Sequence, residues 1–335
     1  MNDVITYHPT PDQLRYTFGG GGEPAARLNP GDVLRVHTED CFGGTVRSSE
    51  DLPSKVVRFP YVNPVSGPFH VNGAEPGDTL ALHFASITPA RDWAASATLA
   101  HFGALTGTSH TATLQPPLEE RVWIYDVDVA AGLVRFNPTN SDLTIDLPLD
   151  PMHGTVGVAP GSGESRATIV PDMHGGNLDS PLLRAGTTVY LGVNVEGAMF
   201  ALGDGHCRQG AGEVTGAAVE AAMNTVVVVD LIKGVSTPWP RFESDTAIMS
   251  TGSARPLEDA FRISQHDLVG WVGELTGLDA LDAYQLLGQA GQAPVANVVD
   301  PNYTMVAAVD KTYLPGRAAY DGIHDRLRAI GRAQD

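Results

Sequence analysis

The chain has 335 residues, of which 42% are hydrophobic and 18% charged, so it can bury a substantial core and does not read as disordered. Its 21 basic against 39 acidic residues give a formal net charge of −18, which excludes a basic footprint for nucleic acid or an anionic membrane surface. Two cysteines, Cys41 and Cys207, exclude a disulfide framework, and no apolar run reaches the roughly 18 residues that a membrane-spanning helix needs. The opening MNDVITYHPT has neither a basic nor an apolar leader region, so a soluble, cytoplasmic protein is expected.

Glycine (37) and proline (24) are spread along the whole chain, which suits short strands joined by turns. A turn-then-strand unit recurs: NPGDVLRVHTED from Asn29, EPGDTLALHFAS from Glu75 and RAGTTVYLGVNVEG from Arg184. In the first, Leu34, Val36 and Thr38 alternate with Arg35, His37 and Glu39; in the third, Val189, Leu191, Val193 and Val195 oppose Tyr190, Gly192, Asn194 and Glu196. Such period-two alternation predicts half-buried strands. Further strands are expected at 122–129, 198–202, 213–231 with a break, and 303–309. Leu257, Ala260, Phe261, Leu268, Trp271, Val272 and Leu275 form a helical stripe, with Pro256 in the first turn and Gly277 as stop. Asp279 then caps a second short helix that runs to about Leu287. The expected class is mainly β (α+β): compact β-sandwich or barrel-like subdomains with short helices near the C-terminus. Residues 1–335 form a single unit, with room for β subdomains at about 1–150 and 151–335. The helices near 257–287 are free for subunit contacts.

Polar clusters follow the strands: HTEDCFGG (37–44), GPFHVNGAEPGD (67–78), MHGTVGVAPGSGESR (152–166), PDMHGGNLDSP (171–181) and GDGHCRQGAGE (203–213). The last carries an acid, a histidine, a glutamine and a glutamate between glycines and reads as a pliable loop exposing ligand-type groups. His174, Asp179, Asp204 and His206 are of the types that hold a divalent ion, although their spacings match no fingerprint such as H-E-x-x-H. Cys41 follows two acids, which raise rather than lower a thiol pKa, and Cys207 beside His206 points to the opposite face of a strand. No G-x-S-x-G elbow and no phosphate-loop ending is present. His101 and His110, flanking a Gly/Thr-rich loop, carry no chemistry of their own.

Taken together, HGGN-x-D and GDGH-x-x-x-G-x-G-E within residues 174–220, with HTEDCFGG, GPFHVNGAEPGDTLALHF, GTVGVAP and the closing PLEDAF…ANVVDPNYTMVAAVDK, resemble the acetamidase/formamidase family over nearly the whole chain. The resemblance implies a mainly β, metal-dependent hydrolase that cleaves short linear amides to a carboxylate and ammonia, working as a homo-oligomer on a small-molecule substrate. By motif it implies metal ligation by Asp40, His174, Asp179, Asp204, His206 and Glu213, with zinc as the expected ion and room for an additional calcium. Glu75 is then expected as general base and acid, and Asn177 or Gln209 as donors to the oxyanion. Small Gly and Ala residues around these motifs suggest a short acyl group. Two rival readings are a non-catalytic β protein holding Ca²⁺ and a small ligand, and a cysteine-dependent amide hydrolase using Cys41 or Cys207.

Overall fold

The structure is a computed structural model that describes residues 3–106, 114 and 116–333; His110 lies outside the described residues. A nine-stranded, mostly antiparallel sheet forms the middle layer. All three turn-then-strand units belong to it, as strands Val33–Thr38, Thr79–Pro89 and Thr188–Gly192. Met223–Ile232 pairs with both of the first two, and Thr79–Pro89 pairs antiparallel with Thr188–Gly192. Strands from before and after residue 150 lie side by side in this sheet.

Alternation along these strands divides their side chains between two cores. Leu34, Val36, Leu80, Leu82, Phe84, Val189 and Leu191 face one core, where Phe69, Val156, Phe200 and Leu202 of a second, five-stranded sheet meet them. Val33, Ala81, Tyr190 and Val228 face the other, against Leu268, Trp271, Val272 and Leu327 of the C-terminal helices. The third unit is therefore buried on both faces rather than half-buried, and it ends at Gly192. The expected strand over 198–202 runs as Phe200–His206, and that over 213–231 is confined to Met223–Ile232. The strands near 122–129 and 303–309 are Arg121–Asp128 and Tyr303–Asp310.

Helix Leu257–Thr276 ends at Gly277, which adopts φ 78°, and Asp279 accepts the N–H groups of Leu281 and Asp282 to cap helix Ala280–Ala290. Pro256 is the N-cap rather than a first-turn residue, and Phe261, placed in the buried stripe, is 43% exposed. These helices cover the nine-stranded sheet with their buried faces. A third helix, Ile323–Arg332, packs Ile323 and Leu327 onto the same face; its one-turn apolar spacing was readable but short.

Asp267 on the first of these helices forms a bidentate ion pair with Arg241, at 2.7 and 2.9 Å, under the Trp271 ring. Both side chains are buried, so removing one leaves a bare charge in the interior. Asp267→Ala is expected to destabilise the fold by about 3–5 kcal/mol in denaturant unfolding.

Candidate active site

The second sheet, in the order Gly175–Asn177, Met152–Gly157, Phe200–His206, Val65–Val71 and Ala26–Leu28, carries the polar motifs at its buried centre. GDGH is not a pliable loop. Gly203 to His206 are the end of a buried strand, and the glycines serve close approach: a Cβ on Gly203 would lie 2.3 Å from the Pro64 carbonyl oxygen, and one on Gly205 2.2 Å from Met223 Cγ. Strand register sets Gly154 opposite Asp204. A Cβ there would lie 2.2 Å from Asp179 Oδ1 and 2.4 Å from Asp204 Oδ2, so the missing side chain is the space that these carboxylates occupy. Asp179, Asp204 and Glu213 all adopt positive φ (43°, 55° and 46°), a strain that persists only where surrounding structure holds it.

These residues close a chamber of ≈ 30 Å³ lined by Asp179, Asp204, Glu213, Glu220 and Asp300, with Asn63, Asn177 and Cys41. His206 stands against these carboxylates: Nε2 lies 3.1 Å from Glu220 Oε2, 3.4 Å from Asp204 Oδ1 and 3.9 Å from Asp179 Oδ1. Gln209 fixes the ring. Its amide nitrogen donates to the carbonyls of Asp179 and Ala296, so its Oε1 must accept from His206 Nδ1, at 3.0 Å. The proton therefore sits on Nδ1 in the neutral ring, and the Nε2 lone pair faces the carboxylates.

Five buried acids around one imidazole cannot all be ionised without a cation or protons. Burial, then Asp204, pushes Asp179 up to about 7. Burial, then Asp179, raises Glu213 and Asp300 well above the carboxylate range, and burial raises Glu220. Burial is the largest influence on Asp204 and pushes it upward, but His206 together with hydrogen bonds from Glu220 and Thr155 holds it low. Desolvation opposes the charged form of His206, yet Glu220 and Asp204 raise it well above its ordinary value. Asp179 Oδ1, Glu220 Oε2 and Asp300 Oδ1 are buried with no hydrogen-bond donor. Ligand atoms of Asp179, Asp204 and His206 lie within 4.8 Å of one another, as do those of His206, Glu213 and Glu220. This donor set fits a divalent cation.

The structure brings together four of the six expected ligands and leaves two apart. Asp40 is buried, but its oxygens are spent on the N–H groups of Phe42 and Gly44 and on Arg91, so it fixes the loop before Cys41. His174 packs edge-on against Phe18, and burial, then Arg166, pushes it down to about 4. Its charged neighbours are Arg166, Asp172 and Glu164 rather than the chamber acids. Glu75 is no base for this chamber: its side chain is 73% exposed and pairs with Lys233 at 3.0 Å. Asn177 and Gln209 are not free oxyanion donors. Asn177 spends its amide hydrogens on Asp179 and Asp300, and its oxygen accepts from Asn63 and Thr155. Burial, then Glu220 and Asp204, raises the Cys41 thiol well above its usual value, and burial pushes Cys207 up to about 12, so neither supplies a ready thiolate.

Sequence reading missed Glu220 and Asp300. Each left a signal: an acid inside the apolar run GAAVEAAM (216–223), and the Asp-Pro of NVVDPN (297–302).

Comparison with known proteins places the chain. The model of the acetamidase/formamidase family matches residues 22–163 and 153–308. The chain belongs to the acetamidase/formamidase family. The acetamidase from Yersinia enterocolitica is 40% identical and superposes with a TM-score of 0.87 over 93% of each chain. The acetamidase from Bacillus halodurans is 29% identical, with a TM-score of 0.82 over 92% of this chain and 98% of that one. The formamidase of Methylophilus methylotrophus is 26% identical over 252 residues, 62% of this chain and 61% of that protein. The chain thus spans about three fifths of the length of the curated relatives it matches. Among the described residues of this family member, no helix is long and apolar enough to cross a membrane.

Gly154 is the residue whose smallness the chamber uses most directly. Its backbone is not left-handed, so Gly154→Ala strains no dihedral and acts through the Cβ alone. The variant is expected to keep its fold by circular dichroism and to lose at least tenfold in affinity for added zinc.

Proposed function

We propose that this protein hydrolyses linear primary amides, R–CO–NH₂ + H₂O, to a carboxylate and ammonia, using a divalent cation, zinc first, in the carboxylate chamber. The observation that carries the reading is the set of unpartnered carboxylate oxygens around the Nε2 lone pair of His206, in a chain of this family. Acetamidase and formamidase are the names of its relatives, and they support the same reaction class here. An oxygen-only calcium site fits less well, because imidazole stands at the centre of the donor set.

His206, Asp179 and Asp204 are the residues assigned to hold the ion, with Glu213 beside them. A cation in such a site lowers the pKa of water to about 7 and polarises a carbonyl. Gln209 holds His206 in the tautomer that presents Nε2. Glu220 replaces Glu75 as the proton carrier. Its Oε2 faces the chamber 3.1 Å from His206 Nε2, and burial raises its affinity for a proton above that of an ordinary carboxylate. It takes the proton of the attacking water and returns it to the departing nitrogen, so the amine leaves as ammonia. Asn177 and Asn63 keep Asp179, Asp204 and Asp300 in place through direct hydrogen bonds. A homo-oligomer in the cytoplasm belongs to the same reading; the family likeness and two unpaired, buried thiols support it.

Ammonia release from formamide, acetamide and propionamide tests this. Release is expected to stop with chelator and return with Zn²⁺, and Glu220→Gln is expected to lower kcat by about 10²–10⁴. Undiminished release after complete metal removal would contradict the assignment of the ion, and no release from the zinc-loaded protein would contradict the reaction.

A further inference from the structure

We infer that the acyl group of the preferred substrate is apolar and longer than acetyl, and that it lies in a vestibule outside the carboxylate chamber. This rests on the amidase reading above and deepens it. The chamber of ≈ 30 Å³ adjoins a cavity of ≈ 380 Å³, and Cys41, Asn63, Phe102, Ile169 and Gly216 line both. These shared residues border both spaces, and the proposed path to the chamber runs between them. The chamber can take little beyond the reacting carboxamide, so whatever the carbonyl carbon bears must occupy the wider space.

Chemistry orients the substrate in that path. A primary amide presents two N–H donors, and the ionised carboxylates of the cation-loaded chamber accept. The carboxamide therefore enters first and the acyl chain trails behind. The vestibule is walled by Phe42, Val57, Phe59, Val62, Leu99 and Phe102. Among its described lining residues the one charged side chain is Glu120, and both of its oxygens are held by Ser54, through the backbone N–H and the hydroxyl. Among the described lining residues no cation is present to pair with an acidic acyl group, and the bound carboxylate of Glu120 offers little to a basic one. A neutral hydrocarbon chain is what this wall desolvates well. The Gly and Ala residues that suggested a short acyl group belong to the sheet around the chamber, whereas the vestibule walls come from residues 42–62 and 99–102 with Ile169 and Gly216.

The test is ammonia release by the zinc-loaded protein from acetamide, butyramide and hexanamide. Each buried methylene is worth about 0.8 kcal/mol, or about fourfold in kcat/KM, so a gain of at least about tenfold from acetamide to hexanamide is expected. Two variants fill the vestibule: Val57→Trp in its partly buried wall and Ala100→Trp at an exposed position, where folding is not at stake. Each is expected to cut the hexanamide-to-acetamide ratio of kcat/KM at least tenfold. Rates that fall with chain length, or ratios that neither variant changes, would overturn the vestibule assignment and leave the amidase standing. No release from any of the amides would overturn both.

Discussion

Burial of five carboxylates around a single imidazole is the constraint on which the rest of this structure depends. Each ionised group removed from water costs several kcal/mol unless it is paired, and here Asp179, Asp204, Glu213, Glu220 and Asp300 have one basic partner in His206. Protons or a cation must make up the difference. The scaffold around the cluster holds it shut: Asn177 and Asn63 tie the carboxylates to one another, Gln209 orients the imidazole, and three of the five acids, Asp179, Asp204 and Glu213, have left-handed backbones. Strain of that kind marks sites retained for function rather than for stability.

Glycine is the means by which the fold brings the acids together. Gly154, Gly203 and Gly205 sit where neighbouring strands or carboxylates occupy the space of a Cβ, and none of the three has a left-handed backbone. Their use is proximity, not pliability. The nine-stranded sheet behind them supplies rigidity, since it is packed on one face by the site-bearing sheet and on the other by three helices. Asp204 and His206 take their places from an enclosed strand, while Asp179, Glu213 and Asp300 come from loops that hydrogen bonds and packing hold against it.

Much of this was legible in the sequence, and the failures are informative. Period-two alternation located Leu34, Val36, Val189 and Leu191 correctly because strands hold that period wherever they run. It could not show that Tyr190 faces a second core, because the covering helices lie some 70 residues further on. Motif reading picked out Asp179, Asp204, His206 and Glu213, which lie close in sequence within two glycine-rich segments and which the fold brings together. It also picked out Asp40, His174 and Glu75, which lie apart from that cluster, because residue type says nothing about which way a side chain faces. Asp40 is consumed by its own turn, and Glu75 by a surface lysine. Glu220 and Asp300 were missed for the opposite reason: they look unremarkable alone and gain meaning only when the fold sets Glu220 beside His206 and Asp300 beside Asp179.

Thermal unfolding of the chelator-treated protein between about pH 5 and 8, with and without zinc, tests the central claim most directly. Ordinary carboxylates, near 4, are already ionised across this window. Asp179, raised to about 7, is protonated in the folded chain and ionised in the unfolded one at its lower end. At this group the folded state binds more protons, which lowers stability as pH rises through 7. Burial pushes His83, His153 and His174 down to about 4, so below about pH 6.5 they charge only on unfolding and make stability rise with pH there. Without zinc, Tm is therefore expected to decline from about pH 7 to 8, and zinc is expected to raise it most at the upper end, where it no longer competes with protons. A Tm that holds level or climbs between about pH 7 and 8, and that zinc leaves unchanged, would contradict the account of a cation-requiring carboxylate chamber.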